Sequence, residues 1–158
     1  MALIRFQVTP TVTVPGTAYI PYDVVGGLLT FTGFRGGVVR GVTIADKAAQ
    51  TTVQYLLLLF ESAPTTIADN SPYDIADADL AKIVFQWKMP QPETAEITGP
   101  FGGAQAFADN GYMFSYGMDY PVWSAGGALY GFLIVTSGTV PTYAAATDVT
   151  ISLLVELG

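Results

Sequence analysis

The sequence contains no cysteine and no histidine, and only six of its 158 residues are lysine or arginine. Disulfides, thiol chemistry and catalysis by Ser-His-Asp or Cys-His groups are therefore excluded, and a zinc site would lack its usual ligands. Thirteen acidic residues against the six cations give a net charge of −7. Because a nucleic-acid-binding protein needs clustered cations to displace phosphate counterions, nucleic acid is not expected as a partner.

Charge of either sign is scarce. Charged residues make up 12% of the chain, roughly half the typical share, whereas hydrophobic residues make up 51%. This imbalance predicts that another molecule covers part of the surface. Prolines and glycines interrupt the longest uncharged stretch, residues 120–147, so no membrane span is expected. Arg5 lies where an apolar signal region would begin, which predicts synthesis in a cytoplasm.

The chain is organised around residues 53–60, VQYLLLLF, where only Gln54 is polar. Successive side chains of a strand point to opposite faces, so a strand that is apolar throughout must be covered on both faces. We therefore predict a central strand here, followed by a polar loop, a short helical turn and a return strand. One face carries Val53, Tyr55, Leu57 and Leu59, and the other carries Leu56, Leu58 and Phe60.

Alternating or fully apolar runs recur along the whole chain, separated by glycine and proline turns. Residues 4–14, 83–88 and 147–157 alternate, and residues 129–135 form a second run that is apolar on both faces. Only residues 76–81 are typical of a helix. The pattern predicts one all-β domain over residues 1–158, an antiparallel, jelly-roll-like β-sandwich of about eight strands with one short helical turn. An immunoglobulin-like sandwich is the alternative.

The two fully apolar strands raise the question of what covers their second face. A two-layer sandwich has one core and buries only one face of each sheet, and the loop over residues 64–74 is polar and poorly suited to cover the other. The sequence therefore predicts a homo-oligomer with closed symmetry, and a homotrimer is the expected form. Its self-association interface is predicted at Leu56, Leu58, Phe60, Leu129, Phe132 and Ile134.

Four aspartates in the segment after the first apolar strand are the best metal candidates. They are Asp69, Asp74, Asp77 and Asp79, and hard cations such as calcium prefer several carboxylate oxygens. Their spacing matches no calcium-loop motif, and aspartates at the start of a short helical turn commonly cap it. Capping by Asp77 or its neighbours is the favoured interpretation, so neither a metal nor another cofactor is predicted.

Seven aromatic residues lie within residues 101–123. A ligand or partner contact is possible at Tyr112, Tyr116, Tyr120 and Trp123, since aromatic rings stack on sugars, but burial in a core or interface is the favoured interpretation. A glycosidase would need two converging carboxylates. Nothing in the sequence brings together any two of Glu61, Glu93, Glu96, Asp109 and Asp119, so the chain is not expected to be an enzyme.

Three segments carry a resemblance to a known family and together hold 67 of the 158 residues. They are Tyr22-Asp23-Val24-Val25-Gly26-Gly27, then VQYLLLLFESAP with the following TTIADNSPYDIADADLAKIV, and the late LYGFLIVTSGTVPTYAAATDVTISLLVEL. Together they resemble a family of small structural virion proteins of tailed bacteriophages, encoded among the head genes. The aromatic residues 101–123 have no counterpart in it.

The resemblance implies a capsid decoration or cement protein on the outer face of the virion, synthesised in the host cytoplasm. Its expected partners are the major capsid protein and further copies of itself. An acidic chain is also suited to stay outside the DNA-filled interior. A receptor- or glycan-binding module of a phage fibre or spike is the alternative, because one fold serves both roles.

Overall fold

The computed structural model describes residues 2–13, 17–47, 53–88, 103–106, 112–137 and 140–158. For residues 103–106, 112–120 and 137 it describes the backbone alone. These residues form nine strands and one short helix. In chain order the elements are β1 (Ala2–Val8), β2 (Val24–Thr32), β3 (Gly36–Asp46), β4 (Gln54–Phe60), α1 (Asp77–Leu80), β5 (Ile83–Lys88), β6 (Gly103–Ala106), β7 (Tyr112–Trp123), β8 (Ala128–Ser137) and β9 (Val149–Leu157).

The strands form two antiparallel sheets. The five-stranded sheet has the order β1-β9-β3-β7-β6, and the four-stranded sheet has the order β2-β8-β4-β5. When the short edge strand β6 is left out and the other eight strands are numbered 1 to 8 along the chain, the two sheets have the orders 1-8-3-6 and 2-7-4-5. These are the strand orders of a jelly roll. The predicted all-β sandwich is confirmed, with β6 as an added edge strand and α1 as the predicted helical turn.

The main core lies between the two sheets and explains the alternation of the strands. Leu57 and Leu59 of β4 point into it, as do Leu133 of β8 and Leu153 of β9, and all four are fully buried. The prediction that β4 lies centrally is confirmed, because it pairs with β8 on one side and β5 on the other.

A second, smaller core lies on the outer face of the four-stranded sheet. Phe60 and Phe132 meet there edge to face, with ring centroids 5.7 Å apart. Ile67, Tyr73 and Ile75 pack over them from residues 61–76, which we call the covering segment. The prediction that the loop over residues 64–74 is too polar to cover the sheet is therefore wrong, because Ile67 and Tyr73 within it and Ile75 just after it pack over this face.

The predicted self-association residues are consequently core residues of the chain itself. Leu129 belongs to the main core, and Leu56, which packs against the second core, is partly exposed. The remaining four are buried in the second core: Leu58, Phe60, Phe132 and Ile134. Their assignment to a subunit contact is wrong, because the covering segment already occupies that face. The homo-oligomer itself stays a prediction that must rest on another surface.

Backbone hydrogen bonds hold the covering segment along the outer edge of β2. Val24 N donates to Ser71 O at 2.9 Å, and Asn70 N donates to Val24 O at 2.8 Å. Tyr73 N donates to Tyr22 O at 2.7 Å. An open strand edge offers unpaired donors and acceptors to other chains. The covering segment therefore shields both a face of the four-stranded sheet and part of its edge.

Candidate interaction surface

The carboxylate of Asp69 joins three parts of the chain. It accepts hydrogen bonds from Thr13 Oγ1 at 2.5 Å, from the Tyr19 hydroxyl at 2.8 Å and from Gly26 N at 2.5 Å. Gly26 has φ +77°, and a Cβ at this position would lie 2.2 Å from Pro10 Cβ, so only glycine fits. Asp69 therefore acts as a latch between the covering segment and a bulge in β2.

Asp79, in the helical turn, binds the covering segment near its start, at Thr65. Its carboxylate accepts hydrogen bonds from Lys82 Nζ at 2.6 Å and from Thr65 N at 2.8 Å. These two bonds, with the Lys82 bond the larger cause, lower the pKa of Asp79 to about 2. Asp74 and Asp77 are exposed.

Asp69 and Asp79 thus hold separate structural contacts, and the described residues contain no group of three acidic side chains that could hold a metal ion. The prediction that Asp77 or a neighbouring aspartate caps the helical turn is also wrong. The residue at the N-cap of α1 is Ala76, and no side chain makes a capping bond there. The acidic residue of this turn with a structural contact is Asp79, whose bonds run to Thr65 and Lys82 rather than to the start of the helix.

A buried polar cluster closes one end of the main core. The Tyr55 hydroxyl donates to Asp46 Oδ2 at 2.8 Å and lies 2.8 Å from the Tyr143 hydroxyl, with all three residues buried. Sequence reasoning missed Asp46, although it continues the inward alternation of Val42 and Ile44 and so places a carboxylate inside the sandwich. Burial, reinforced by neighbouring Tyr143 and Asp46, raises the pKa of Tyr55 well above its usual value.

The tyrosine cluster predicts a loss of stability in alkali. Burial also raises the pKa of Tyr143, so both phenols stay neutral in the folded protein while their unfolded counterparts ionise near pH ~10. Stability from this source is present below that pH and is lost as the pH rises above it. Burial raises the pKa of Tyr19 as well, so we expect Tyr19, Tyr55 and Tyr143 to ionise only together with unfolding, measured by tyrosinate absorbance and circular dichroism in one titration. Gradual ionisation of every tyrosine in a folded chain would contradict this expectation.

The predicted aromatic contact residues all lie on β7. For Tyr112, Tyr116 and Tyr120 the backbone alone is described, so their contacts lie outside the described part of the chain. Trp123 is 54% exposed, and its indole N–H donates to a carboxylate oxygen of Glu61. The prediction that Trp123 lies in a core is therefore wrong. Its ring lies at the surface, where the bond to Glu61 holds it.

The outer face of the five-stranded sheet carries an exposed apolar patch. Leu3 is 61% exposed and Leu154 is 40% exposed, on the neighbouring strands β1 and β9. Glu156 pairs in register with Leu3 on one side and with Val38 of β3 on the other. Shallow grooves run among these side chains, and we define the outer patch as Leu3, Val38, Arg40, Leu154 and Glu156.

The outer patch differs in charge from the rest of the chain. Arg40 Nε donates to Glu156 Oε2 at 2.5 Å, so the one acidic side chain of the patch is neutralised. Arg5 lies beside Leu154 in the register and donates to Ser152 Oγ at 3.0 Å. Among the described side chains around the outer patch, two arginines and one glutamate sum to +1, whereas the whole chain carries −7.

Comparisons with protein-family models, with curated proteins and with solved structures found no match to this chain. Among the described residues, no helix is long and apolar enough to cross a membrane.

Proposed function

We propose that this chain is a structural virion protein of a tailed bacteriophage, a decoration or cement protein on the outer face of the capsid that stabilises the head by protein contacts alone. The outer patch is the observation that carries this proposal. An exposed apolar surface rimmed by neutralised charge is typical of a protein contact. Burying the exposed part of Leu3 in such a contact would contribute about 1–2 kcal/mol, and burying that of Leu154 about 1 kcal/mol, because they are 61% and 40% exposed.

The rest of the chain supports a contact role rather than a chemical one. Two of the carboxylates that were candidates for a metal site, Asp69 and Asp79, instead form hydrogen bonds within the chain. A strongly acidic surface is repelled by packaged DNA, which favours the outside of the shell. The resemblance of the sequence to virion proteins supplies the setting, with the major capsid protein and further copies of the chain as partners, and neither nucleic acid nor membrane.

The proposal is tested by adding purified protein to phage capsids that were assembled without it. We expect binding that saturates at a fixed number of copies per capsid and a higher temperature of capsid disruption. Albumin at the same concentration controls for general protein effects. Capsids that bind no protein, or that bind it without a change in stability, would contradict the proposed function.

A glycan-binding module is the second candidate, and the exposed Trp123 ring beside Glu61 favours it. A flat aromatic surface next to a carboxylate can stack on a sugar ring and accept hydrogen bonds from its hydroxyls. Trp123→Ala separates the two functions. A decoration protein should still saturate capsids with this substitution, whereas loss of attachment to host-cell glycans with unchanged capsid binding would favour the module.

A further inference from the structure

The strand β1 has an open edge. It lies at the end of the five-stranded sheet and, among the described strands, pairs with β9 alone. In an antiparallel edge strand, every second residue directs its N–H and C=O away from the sheet. Five of the seven residues of β1 are exposed, and even Ile4, which shares its face with the core-packed Phe6, is 38% exposed. β1 therefore presents backbone donors and acceptors at its edge and apolar side chains on both of its faces.

The other edges of the two sheets, as far as the structure describes them, have the protections that are usual against pairing with another chain. Residues 70–73 of the covering segment lie along β2 and bond to it. β5 lies between Lys82 and its last residue Lys88, and β6 is only four residues long. β1 has none of these protections, because it is seven residues long, contains neither lysine nor proline and pairs with β9 without a register shift.

Arg5, the one charged residue of β1, indicates which chain can pair with this edge. Its guanidinium donates to Ser152 Oγ at 3.0 Å, and none of the described carboxylates forms an ion pair with it. β1 contains no acidic residue, so antiparallel pairing of two copies through β1 would place their arginines opposite or diagonal to each other in the registers that overlap most. Like charges opposite each other destabilise a strand pair, whereas opposite charges stabilise it. Charge therefore favours a strand of a different chain that carries an acidic residue.

We infer that an extended segment of the major capsid protein adds to the five-stranded sheet as a new strand along the open edge of β1. Main-chain hydrogen bonds hold the added strand, and its apolar side chains lie beside Leu3 on one face and Ile4 on the other. An acidic residue of the added strand pairs with Arg5. The inference rests on the proposed function and deepens it, because the outer patch reaches the edge of the sheet at Leu3 and the added strand continues that surface.

Hydrogen exchange at single amides tests this contact, because strand addition has a periodicity that a contact between side chains lacks. The protein is exchanged in D2O both free and bound to capsids that were assembled without it, and after quenching the amides are read by NMR in an aprotic solvent. We expect every second amide of β1 to exchange at least about tenfold more slowly on the capsid, because each becomes hydrogen-bonded. The amides of Asn70 and Tyr73, which already bond within the chain, are the internal control and should not change.

Proline substitution removes one backbone donor and leaves the side chains of the outer patch in place. Ile4 and Gln7 differ in parity along β1, so the N–H of one points to β9 and the N–H of the other points away. Proline at the outward position should keep a Tm close to that of the wild type. It should bind capsids about tenfold more weakly than alanine at the same position, the effect of losing one backbone hydrogen bond. Proline at the other position should lower the Tm.

The outcomes separate this inference from the proposed function. Capsid-bound protein whose β1 amides exchange as fast as in the free protein would overturn the inference and leave the proposed function standing. Protein that binds no capsids would overturn the proposed function, and the inference with it. Alternate protection of β1 in the free protein would overturn the choice of partner and assign the edge to a second copy. Two proline variants that both bind capsids as tightly as their alanine controls would also overturn the inference.

Discussion

Phe132→Ala is expected to lower the free energy of unfolding by about 3 to 5 kcal/mol, the cost of emptying a core phenylalanine site. The side chain lies on the outer face of the four-stranded sheet, yet it is fully buried because the covering segment packs over it and Phe60 meets it edge to face. Urea denaturation followed by circular dichroism measures the change.

Leu154→Ala is the matched control, since it removes an apolar side chain from the outer face of the other sheet. It should change the unfolding free energy of the monomer by no more than about 0.5 kcal/mol, as is usual for surface substitutions. Equal effects of the two substitutions would contradict the distinction between the buried position of Phe132 and the exposed position of Leu154. A small effect of Phe132→Ala alone would mean that the covering segment does not form a core.

Asp69→Ala is expected to cost about 3 kcal/mol, because it leaves three donors without their shared acceptor. The donors are Thr13 Oγ1, the Tyr19 hydroxyl and Gly26 N. With the latch removed, the covering segment should open more often than the rest of the fold. Hydrogen exchange should therefore accelerate at Asn70 and Tyr73, whose amides bond to β2 and the turn before it, while β9 keeps its protection.

Asp74→Ala is the control for this substitution, because Asp74 lies in the same segment and is exposed. It should leave both the stability and the exchange pattern near the wild-type values. Uniform acceleration of exchange in Asp69→Ala would contradict the latch and assign Asp69 to global stability alone. Wild-type stability in Asp69→Ala would contradict any structural role for its hydrogen bonds.

Much of the sandwich could be predicted because strand periodicity is a local property. Leu57 and Leu58 are adjacent and both buried, and the sequence alone required a separate cover for each face. The nature of that cover was not predictable from periodicity. Tyr73 and Ile75 have the spacing of a strand, but five residues, most of them polar, separate them from Ile67, so the sequence predicts only a loop here. The covering segment takes its shape from tertiary contacts.

The hydrogen bonds of Asp69 were still less predictable from the sequence, because they join residues that are far apart in the chain. Asp69 meets Gly26 and Thr13, which lie 43 and 56 residues away in the chain, so no local pattern relates them. Leu154 is different, since the alternation of β9 places it among outward polar residues and its exposure could have been inferred. The exposure of Leu3 could have been inferred in the same way, because Leu3 alternates in phase with the outward Arg5 and Gln7, and β1 pairs with β9 without a register shift.

We propose that the chain covers the outer face of the four-stranded sheet itself and leaves the outer patch for partners in the virion. A map of the intact virion in which this chain can be traced tests it most directly. The claim predicts the chain on the outer shell, with Leu3 and Leu154 against another protein chain and the covering segment facing solvent. The chain's absence from the virion, or a shell contact made through the covering segment with the outer patch in solvent, would contradict it.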